Sequence, residues 1–490
     1  MKRDIGRISS EKFDLLIIGG GINGCAIARD ASLRGMKTAL IEKNDFACGA
    51  SGKTTKLIHG GIRYLEQFNF KLVYEALHER QILLRTASHL VHPLEFIIPV
   101  YKNDPRSLLK IKTGVAIYDW MAGKGNIRRS RWFKKNELIS LEHNIDARNL
   151  KGGVKYCDAQ MDDVRLCFDN AISAYEAGCC LANKIEAAGF IKEIGKIAGV
   201  EALDKLTGEK FSIRASIVVN ATGAWSNAIV KMDEPKAPPI TRPTKGIHIV
   251  YRKLPHERAI ILSHRFDKRI FFVIPWRNLS LLGTTDTDFS GSADEVYACA
   301  DEVEYLLEET RRIFPGEKID RKGIITTYAS LRPLVNVEGR LTWQVSREHL
   351  IKESRAGLIS VVGGKYTTYR RLAEQVVDLA LRKLADRNFK KCISGLIGPS
   401  SRFENSASLR RSVEYAVKEE MANTLIDLLV RRLQLSNTPS LGLDCLQECA
   451  NIMAGLLGWS DAQKDSEMRE YREEIRRNTD FSNNPCRHLK

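Results

Sequence analysis

Between Asp14 and Glu42 lies a set of residues whose types and spacing suit one chemistry, the holding of a dinucleotide pyrophosphate. The apolar run Leu15-Leu16-Ile17-Ile18 leads directly into Gly19-Gly20-Gly21-Ile22-Asn23-Gly24, with Ala28 four positions on and Gly35 seven beyond that. In this pattern Gly19 makes a tight turn, Gly21 lets the backbone approach the phosphates, and Gly24 lets a helix pack closely on the preceding strand. The first turn of that helix, which contains Asn23, offers N–H groups and a positive dipole end to an anion. Strand-like residues resume at Lys37-Thr38-Ala39-Leu40-Ile41 and stop at Glu42, where a carboxylate can accept hydrogen bonds from a ribose diol.

Those residues demand a strand–helix–strand unit, and the rest of the chain reads as an α/β protein built around it. Ser216–Asn220 and Leu358–Val362 are two further buried strands, ending in the small-residue turns Ala221-Thr222-Gly223 and Gly363-Gly364. A helix through Val377 and Leu379 follows the second. Short β-rich runs near 94–100, 246–251, 270–275 and 279–284 point to a mixed or antiparallel second sheet, the roof of a substrate cavity. Asn69 to His89 has the spacing of an amphipathic helix. A nucleotide domain assembled from separated pieces is the build of many flavoproteins, whereas a nicotinamide dehydrogenase more often keeps its domain contiguous. Beyond about Asp386 the pattern becomes helical. Val413, Val417, Met421, Leu425 and Leu428 fall on one stripe, and Ser460 is placed to cap a final helix bearing Met468, Tyr471 and Ile475. Pro399-Ser400-Ser401 marks a linker before this helical region.

At 490 residues the chain can hold two or three domains, and 43% hydrophobic with 28% charged residues is ordinary for a soluble globular protein. No apolar run approaches the roughly 20 residues needed to cross a bilayer, and Met1–Phe13 holds no hydrophobic signal core. The expectation is a cytosolic protein, or one resting on a membrane face. Eleven scattered cysteines without a CxxC pair read as reduced, mostly buried thiols. The histidines show no HxxxH or HxH pattern, so no metal is expected. The formal charge of +16 comes with no nucleic-acid-binding motif, and no nucleic-acid partner is expected. Basic and apolar residues interleave most densely between Arg106 and Lys135. There Leu108, Leu109, Ile111, Trp120, Met121, Trp132 and Phe133 stand among Lys110, Lys112, Arg128, Arg129, Arg131, Lys134 and Lys135. An anionic lipid surface and a solvated basic face both suit such a stretch.

Three segments carry a resemblance: Gly19–Gly24, Lys56-Leu57-Ile58-His59-Gly60-Gly61-Ile62-Arg63-Tyr64-Leu65, and Gly363-Gly364-Lys365-Tyr366-Thr367-Thr368-Tyr369-Arg370. Together they resemble the FAD-dependent glycerol-3-phosphate dehydrogenases, within the D-amino-acid-oxidase-like flavoproteins. Ile274-Pro275-Trp276, Gly283-Thr284-Thr285-Asp286, Leu331-Arg332-Pro333-Leu334 and the tail segment Glu414–Ala422 extend the likeness over almost the whole chain. Two stretches depart from it. Cys48–Thr55 replaces a more serine-rich loop, and the region from about Cys392 to Ser412 is short for the family's tail domain. The resemblance implies a Rossmann-like FAD-binding domain assembled from about 13–90, 150–230 and 320–385, and a substrate-binding sheet from about 91–149 and 231–319. These make one oxidoreductase domain, 13–385, followed by a helical C-terminal domain, 400–490.

The chemistry so implied is oxidation of sn-glycerol 3-phosphate to dihydroxyacetone phosphate, a hydride leaving C2 for flavin N5 while the C2 hydroxyl loses its proton. Arg63, Arg332 and Lys365 match the family's basic pocket, guanidinium forks and an ammonium suiting phosphate oxygens, and Tyr64 can hydrogen-bond the phosphate or a hydroxyl. His248 stands where the family places a histidine toward the substrate. A neutral imidazole there, its pKa kept low by neighbouring cations, could accept the C2 hydroxyl proton. A histidine inside an apolar run also suits a satisfied core position, and His59 and Arg332 are the other candidates for polarising the C2 oxygen. The catalytic set is thus His248, Arg332 and Lys365. The FAD set is Gly19, Gly21, Asn23, Gly24, Glu42, Ser51, Lys56, His59, Thr222, Gly223, Gly364 and Thr367. Amides at the helix start near Thr367 would stabilise negative charge on the reduced flavin, and Lys365 would serve flavin, substrate or both. Neither a second GxGxxG nor a cysteine cluster offers electrons a nicotinamide or iron–sulfur exit. The resemblance implies a membrane quinone as acceptor and peripheral attachment to the inner face of the cell membrane, and leaves a homodimer open. The alternatives are an oxygen-using oxidase that makes hydrogen peroxide and a basic FAD-containing binding protein.

Overall fold

Along the first strand, Lys12–Ile18, Leu15 and Ile17 turn to one face of a sheet while Leu16 and Ile18 turn to the other, and all four are buried. A strand buried on both faces is the parallel-sheet signature, and the computed structural model, which describes residues 1–264, 269–336, 348–384, 388–399 and 408–484, carries that sheet out in full. Its strands run in the order His349–Glu353, Ile359–Gly363, Lys210–Asn220, Lys12–Ile18, Thr38–Glu42 and Cys180–Asn183. The last five are parallel, with Ile17 opposite both Val219 and Leu40. The hairpin Ile185–Glu193/Lys196–Asp204 joins Lys210–Asn220. Helices Ile22–Leu33, Asp163–Glu176 and Tyr369–Lys383 pack with one face, while Ile5–Ser10 and the hairpin pack with the other.

The fingerprint glycines meet the steric demands placed on them. Gly19 has φ +114°, where a side chain is strained, and a Cβ on Gly24 would collide with the Gly19 carbonyl oxygen and touch Ile17 Cγ2 at 3.4 Å. The helix therefore lies against the strand closely enough to present its N-terminus at the strand's end.

The second sheet has ten strands and is antiparallel apart from one parallel pairing, Ala259–Ser263 with Val91–Tyr101. The β-rich runs read near 94–100, 246–251, 270–275 and 279–284 all lie in it. Two long strands differ from the sequence division, which grouped 150–230 and 320–385 with the FAD pieces. Leu150–Met161 pairs along the whole of Val91–Tyr101, and Ile324–Val335 along the whole of Thr241–Tyr251, so both belong to the second sheet. Alternation alone fixes a strand's faces, not its neighbours, and these partners lie far away in sequence.

Helix Phe70–Thr86 forms where expected, its start held by Asn69, whose side chain accepts from Leu72 N. Ser460 likewise caps Asp461–Thr479, which buries Met468, Tyr471 and Ile475. The stripe from Val413 to Leu428 is not one helix. Leu409–Glu420 ends at Met421 in the left-handed region, and a π-helical turn, Asp427–Arg432, follows. Val413, Val417, Leu425 and Leu428 still converge on one helical core, while Met421 packs into the core of the first sheet. The break aligns the buried Asp427 and Arg432 with Asp45 and Lys184 of the first sheet's loops. Part of the linker, Ser400 and Ser401, and the change of pattern near Asp386 lie outside the described residues. Among the described residues nine cysteines are free thiols, but Cys299 is disulfide-bonded, which corrects the all-reduced reading. Among the described residues no helix is long and apolar enough to cross a membrane.

Two glycine substitutions test the close approach. Gly24→Ala should destabilise the fold by about 1–3 kcal/mol through overpacking against Gly19. Gly114→Ala, in helix Leu108–Ala122 with open space around its would-be Cβ, should stabilise by about 0.5–1 kcal/mol. Chemical denaturation of both variants checks the opposite signs.

Candidate active site

A cavity of about 460 Å³ opens where the parallel strands end and the second sheet begins, which is where ligands sit in open α/β folds. Its nucleotide side is walled by Gly19, Gly21, Asn23, Glu42, Ser51, Thr222 and Gly223. Its far side is walled by His59, Tyr64, His248, Arg332, Gly364, Lys365 and Thr367. Most of the residues singled out in sequence thus come to one cavity.

At the nucleotide end, Ser51 Oγ accepts from Ile22 N at 2.9 Å, fastening the loop to the helix start. Glu42 accepts from Gly20 N at 2.6 Å and Asn44 N at 2.8 Å; burial raises its pKa despite both donors. Thr222 donates to Asn220 Oδ1 at 2.7 Å, and Gly223 takes φ +58°. Thr367 Oγ1 accepts from His59 N at 3.1 Å, joining two motifs that lie some 300 residues apart.

The far wall of the cavity is built on two antiparallel strands, Thr241–Tyr251 and Ile324–Val335, in which Thr244 pairs with Arg332 and His248 with Tyr328. Even-numbered residues of both face the same way. Gly246 falls between Thr244 and His248, and a Cβ there would collide with the Arg332 guanidinium, so the glycine gives that side chain its course. Arg332 donates to Thr284 Oγ1 at 2.8 Å and the Thr285 carbonyl at 3.0 Å, and pairs with Asp286 at 3.1 Å. Lys365 Nζ donates to the Gly60 carbonyl at 3.3 Å and lies 4.0 Å over the Tyr64 ring.

His248 is 2% exposed. Its ring stacks on Tyr328 at 5.0 Å, Nε2 shares a hydrogen bond with Thr55 Oγ1 at 2.9 Å, and Nδ1 is buried with no hydrogen-bond partner. Burial first, then the charges of Arg332 and Lys56, hold its pKa well below the usual 6.5. Burial and the neighbouring cations thus favour the neutral form of the ring.

Three residues fall elsewhere than expected. Lys56 is not on the cavity wall: it is buried, pairs with Asp163 at 2.6 Å and lies over the Trp276 and Tyr328 rings. Its left-handed backbone (φ +57°) carries the side chain beneath the site. Gly24 also stays off the wall, in its packing role. Arg63 does not line the cavity; its guanidinium lies over the Tyr64 ring, 5.4 Å from its centre. Sequence reading missed Thr55, Gly246, Asp286 and Tyr328. The available signal was two-residue alternation, which puts Gly246 with His248 and Tyr328 with Arg332 once the strands are paired.

A parallel sheet receiving a dinucleotide, roofed by an antiparallel sheet that brings cations and a neutral histidine to the same cavity, defines a flavin-dependent oxidoreductase fold. A family model described as FAD dependent oxidoreductase matches residues 14–370, and one described as the C-terminal domain of alpha-glycerophosphate oxidase matches 366–464. A glycerol-3-phosphate dehydrogenase of Synechocystis is 33% identical over 97% of this chain and 98% of its own. Glycerol-3-phosphate dehydrogenase 2 of Mycobacterium tuberculosis is 32% identical over 95% of this chain and 88% of its own. The crystal structure of the Bacillus halodurans glycerol-3-phosphate dehydrogenase, complexed with FAD, superposes with a TM-score of 0.81 at 26% identity, covering 97% of each chain. The chain belongs to the FAD-dependent glycerol-3-phosphate dehydrogenase and oxidase family.

The residues present fit FAD. Gly21 has no side chain to fill the space beside Ser51, the helix start faces the cavity, and the Glu42 carboxylate lies at the end of the second strand.

The neutral state of His248 has a measurable consequence. Below about pH 6.5 the unfolded chain takes up a proton at this position that the folded chain refuses. Its contribution is therefore fully present above that pH and is lost as pH falls toward the depressed folded value. The melting temperature of the wild type should fall more steeply than that of His248→Gln between about pH 7 and pH 5. Parallel slopes in thermal melts would show the ring to be protonated normally.

Proposed function

We propose that this protein oxidises sn-glycerol 3-phosphate to dihydroxyacetone phosphate and passes the electrons to a quinone at the face of a membrane. FAD, when bound, supplies the hydride acceptor at N5. The observation that carries the reading is the shared cavity itself, in which Arg332 and Lys365 stand on the same walls as the neutral His248 and the dinucleotide turns. Arg332 and Lys365 hold the substrate phosphate, with Tyr64 beside it, and Arg63, over the Tyr64 ring, adds positive potential. His248 takes the proton of the C2 hydroxyl. Its neutral ring makes this feasible, and the nearby guanidinium of Arg332 favours the alkoxide character that develops on the same oxygen. Gly19, Gly21, Asn23, Ser51 and Thr222–Gly223 hold the phosphates and Glu42 the ribose. His59, Gly364 and Thr367 hold the flavin end, where the amides before helix Tyr369–Lys383 favour negative charge on the reduced ring.

A membrane-facing role draws support from the surface of helix Leu108–Ala122 and its neighbours. Leu109, Trp120 and Trp132 are exposed, as is Phe68 at the end of the turn that packs against this helix, and Lys110, Lys112, Arg128 and Arg131 stand among them. Leu108, Ile111, Met121 and Phe133 pack inward, so only part of the interleaved stretch is available to lipid. A mixed aromatic and basic surface of this kind suits anionic headgroups.

Anaerobic stopped-flow absorbance tests the reading. Mixing the holoprotein with sn-glycerol 3-phosphate should bleach the oxidised-flavin band, and a soluble quinone should restore it faster than air. Faster recovery in air would make the protein an oxidase, and no bleaching would remove the substrate. Arg332→Ala should retain FAD and lower kcat/KM by roughly 10²–10³-fold, the scale of removing one charge-assisted hydrogen bond from a dry site. Undiminished turnover would move the clamp elsewhere.

A further inference from the structure

Behind the Gly60–Gly61 turn lies a buried polar cluster that the reaction as described does not use. Tyr118, 1% exposed on the inner side of helix Leu108–Ala122, donates to Asp158 Oδ2 at 2.8 Å and accepts from Gly60 N at 2.8 Å. Asp158 is itself fully buried, on strand Leu150–Met161, and is paired with Arg80, which also donates to the Cys157 carbonyl at 3.2 Å. A buried phenol held by a carboxylate that an arginine holds in turn has one orientation open to it, because any other leaves a charge or donor unsatisfied.

What this cluster holds is the backbone that holds Lys365. Gly60 N is fixed by the phenol, and the Gly60 carbonyl accepts from Lys365 Nζ at 3.3 Å. The next residue, Gly61, has φ +77°, and a Cβ on it would lie 2.7 Å from the same ammonium. A Cβ on Gly60 would collide with the Tyr118 hydroxyl. The two glycines are thus the thickness of one backbone between the phenol and the ammonium. Tyr118 does not line the cavity, whereas Lys365 and Tyr64 do.

We propose that Tyr118 is a positioning residue, which fixes the Gly60 backbone and through it sets the Lys365 ammonium for the substrate phosphate. Anion recognition in the cavity thereby depends on one hydroxyl of helix Leu108–Ala122 rather than on the packing of that helix as a whole. The proposal rests on the assignment of Lys365 to the phosphate.

Inorganic phosphate is the probe, titrated into the oxidised holoprotein and followed by the flavin difference spectrum, with KM and kcat for sn-glycerol 3-phosphate measured alongside. Tyr118→Phe should raise the phosphate Kd and the KM about tenfold, the scale of one hydrogen bond removed from a charged set, with kcat changed less than twofold. Val115→Ala loosens the same helix, where Val115 packs beside Tyr118, without touching the hydroxyl; its phosphate Kd should match the wild type. Lys365→Met should weaken phosphate binding at least as much as Tyr118→Phe. A wild-type Kd in Tyr118→Phe, with Lys365→Met weakened, would overturn the positioning role and leave the Lys365 assignment standing. Equal losses in Tyr118→Phe and Val115→Ala would reduce the effect to helix packing and also overturn it. A wild-type Kd in Lys365→Met would instead remove the assignment on which the proposal rests.

Discussion

Confining positive charge around one small cavity is the constraint that the catalytic half of this molecule is built to meet. An unpaired cation taken out of water is costly, and a pocket for a phosphate needs several. Three cations near the site accordingly have a carboxylate partner: Asp286 for Arg332, Asp163 for Lys56, and Glu302 for Lys245, one strand position from Gly246. The carboxylates hold the cations without lying across the cavity between them and a ligand. His248 then follows as a consequence. A titratable base placed among these charges and shut off from solvent cannot hold a proton, so the arrangement that attracts an anion also leaves a neutral acceptor beside it.

Bringing those groups close together requires backbone without side chains at a few points. Gly246 clears the course of the Arg332 guanidinium, Gly60 clears the Tyr118 hydroxyl, and Gly61 clears Lys365. The glycines at the nucleotide end serve a different need, the close packing of a helix on its strand, as at Gly24. One residue type thus has two uses here. At one end it lets a helix pack on its strand, and at the other it lets polar and charged side chains pass close to backbone.

The nucleotide end was legible because its signal is local. Gly19 to Glu42 form one strand–helix–strand unit, and their spacing states the geometry before any tertiary contact is made. The motifs at His59–Tyr64 and Gly363–Thr367 were equally visible as motifs, and they do meet, through the Thr367 hydroxyl and the His59 backbone. What was not legible depends on pairing across long separations. The membership of Leu150–Met161 and Ile324–Val335 in the second sheet is set by partners elsewhere in the chain. Lys56 sits inside a recognised motif, yet its left-handed backbone turns it to Asp163, 107 residues away. The Val413–Leu428 stripe has a helical period throughout, but nothing in that period marks the break at Met421, which answers to buried charge instead.

That buried charge joins the helical layer to the cofactor loop. Arg431 and Arg432 both pair with Asp45, which follows Glu42 on the cavity wall, and Arg432 also donates to the Glu420 carbonyl at 2.6 Å. The two guanidiniums hold the Asp45 carboxyl far below the usual carboxylate range against the opposing effect of burial. An apolar contact of equal area would hold the layer as firmly, but it would tolerate sliding, since apolar surfaces lose little when they shift by part of a residue. A buried ion pair does not tolerate it: displacement leaves a charge in a medium that cannot solvate it. The π-helical turn supplies two arginines one residue apart toward the same carboxylate. The loop that follows Glu42 on the cavity wall is therefore set in part by a layer some 390 residues further along the chain.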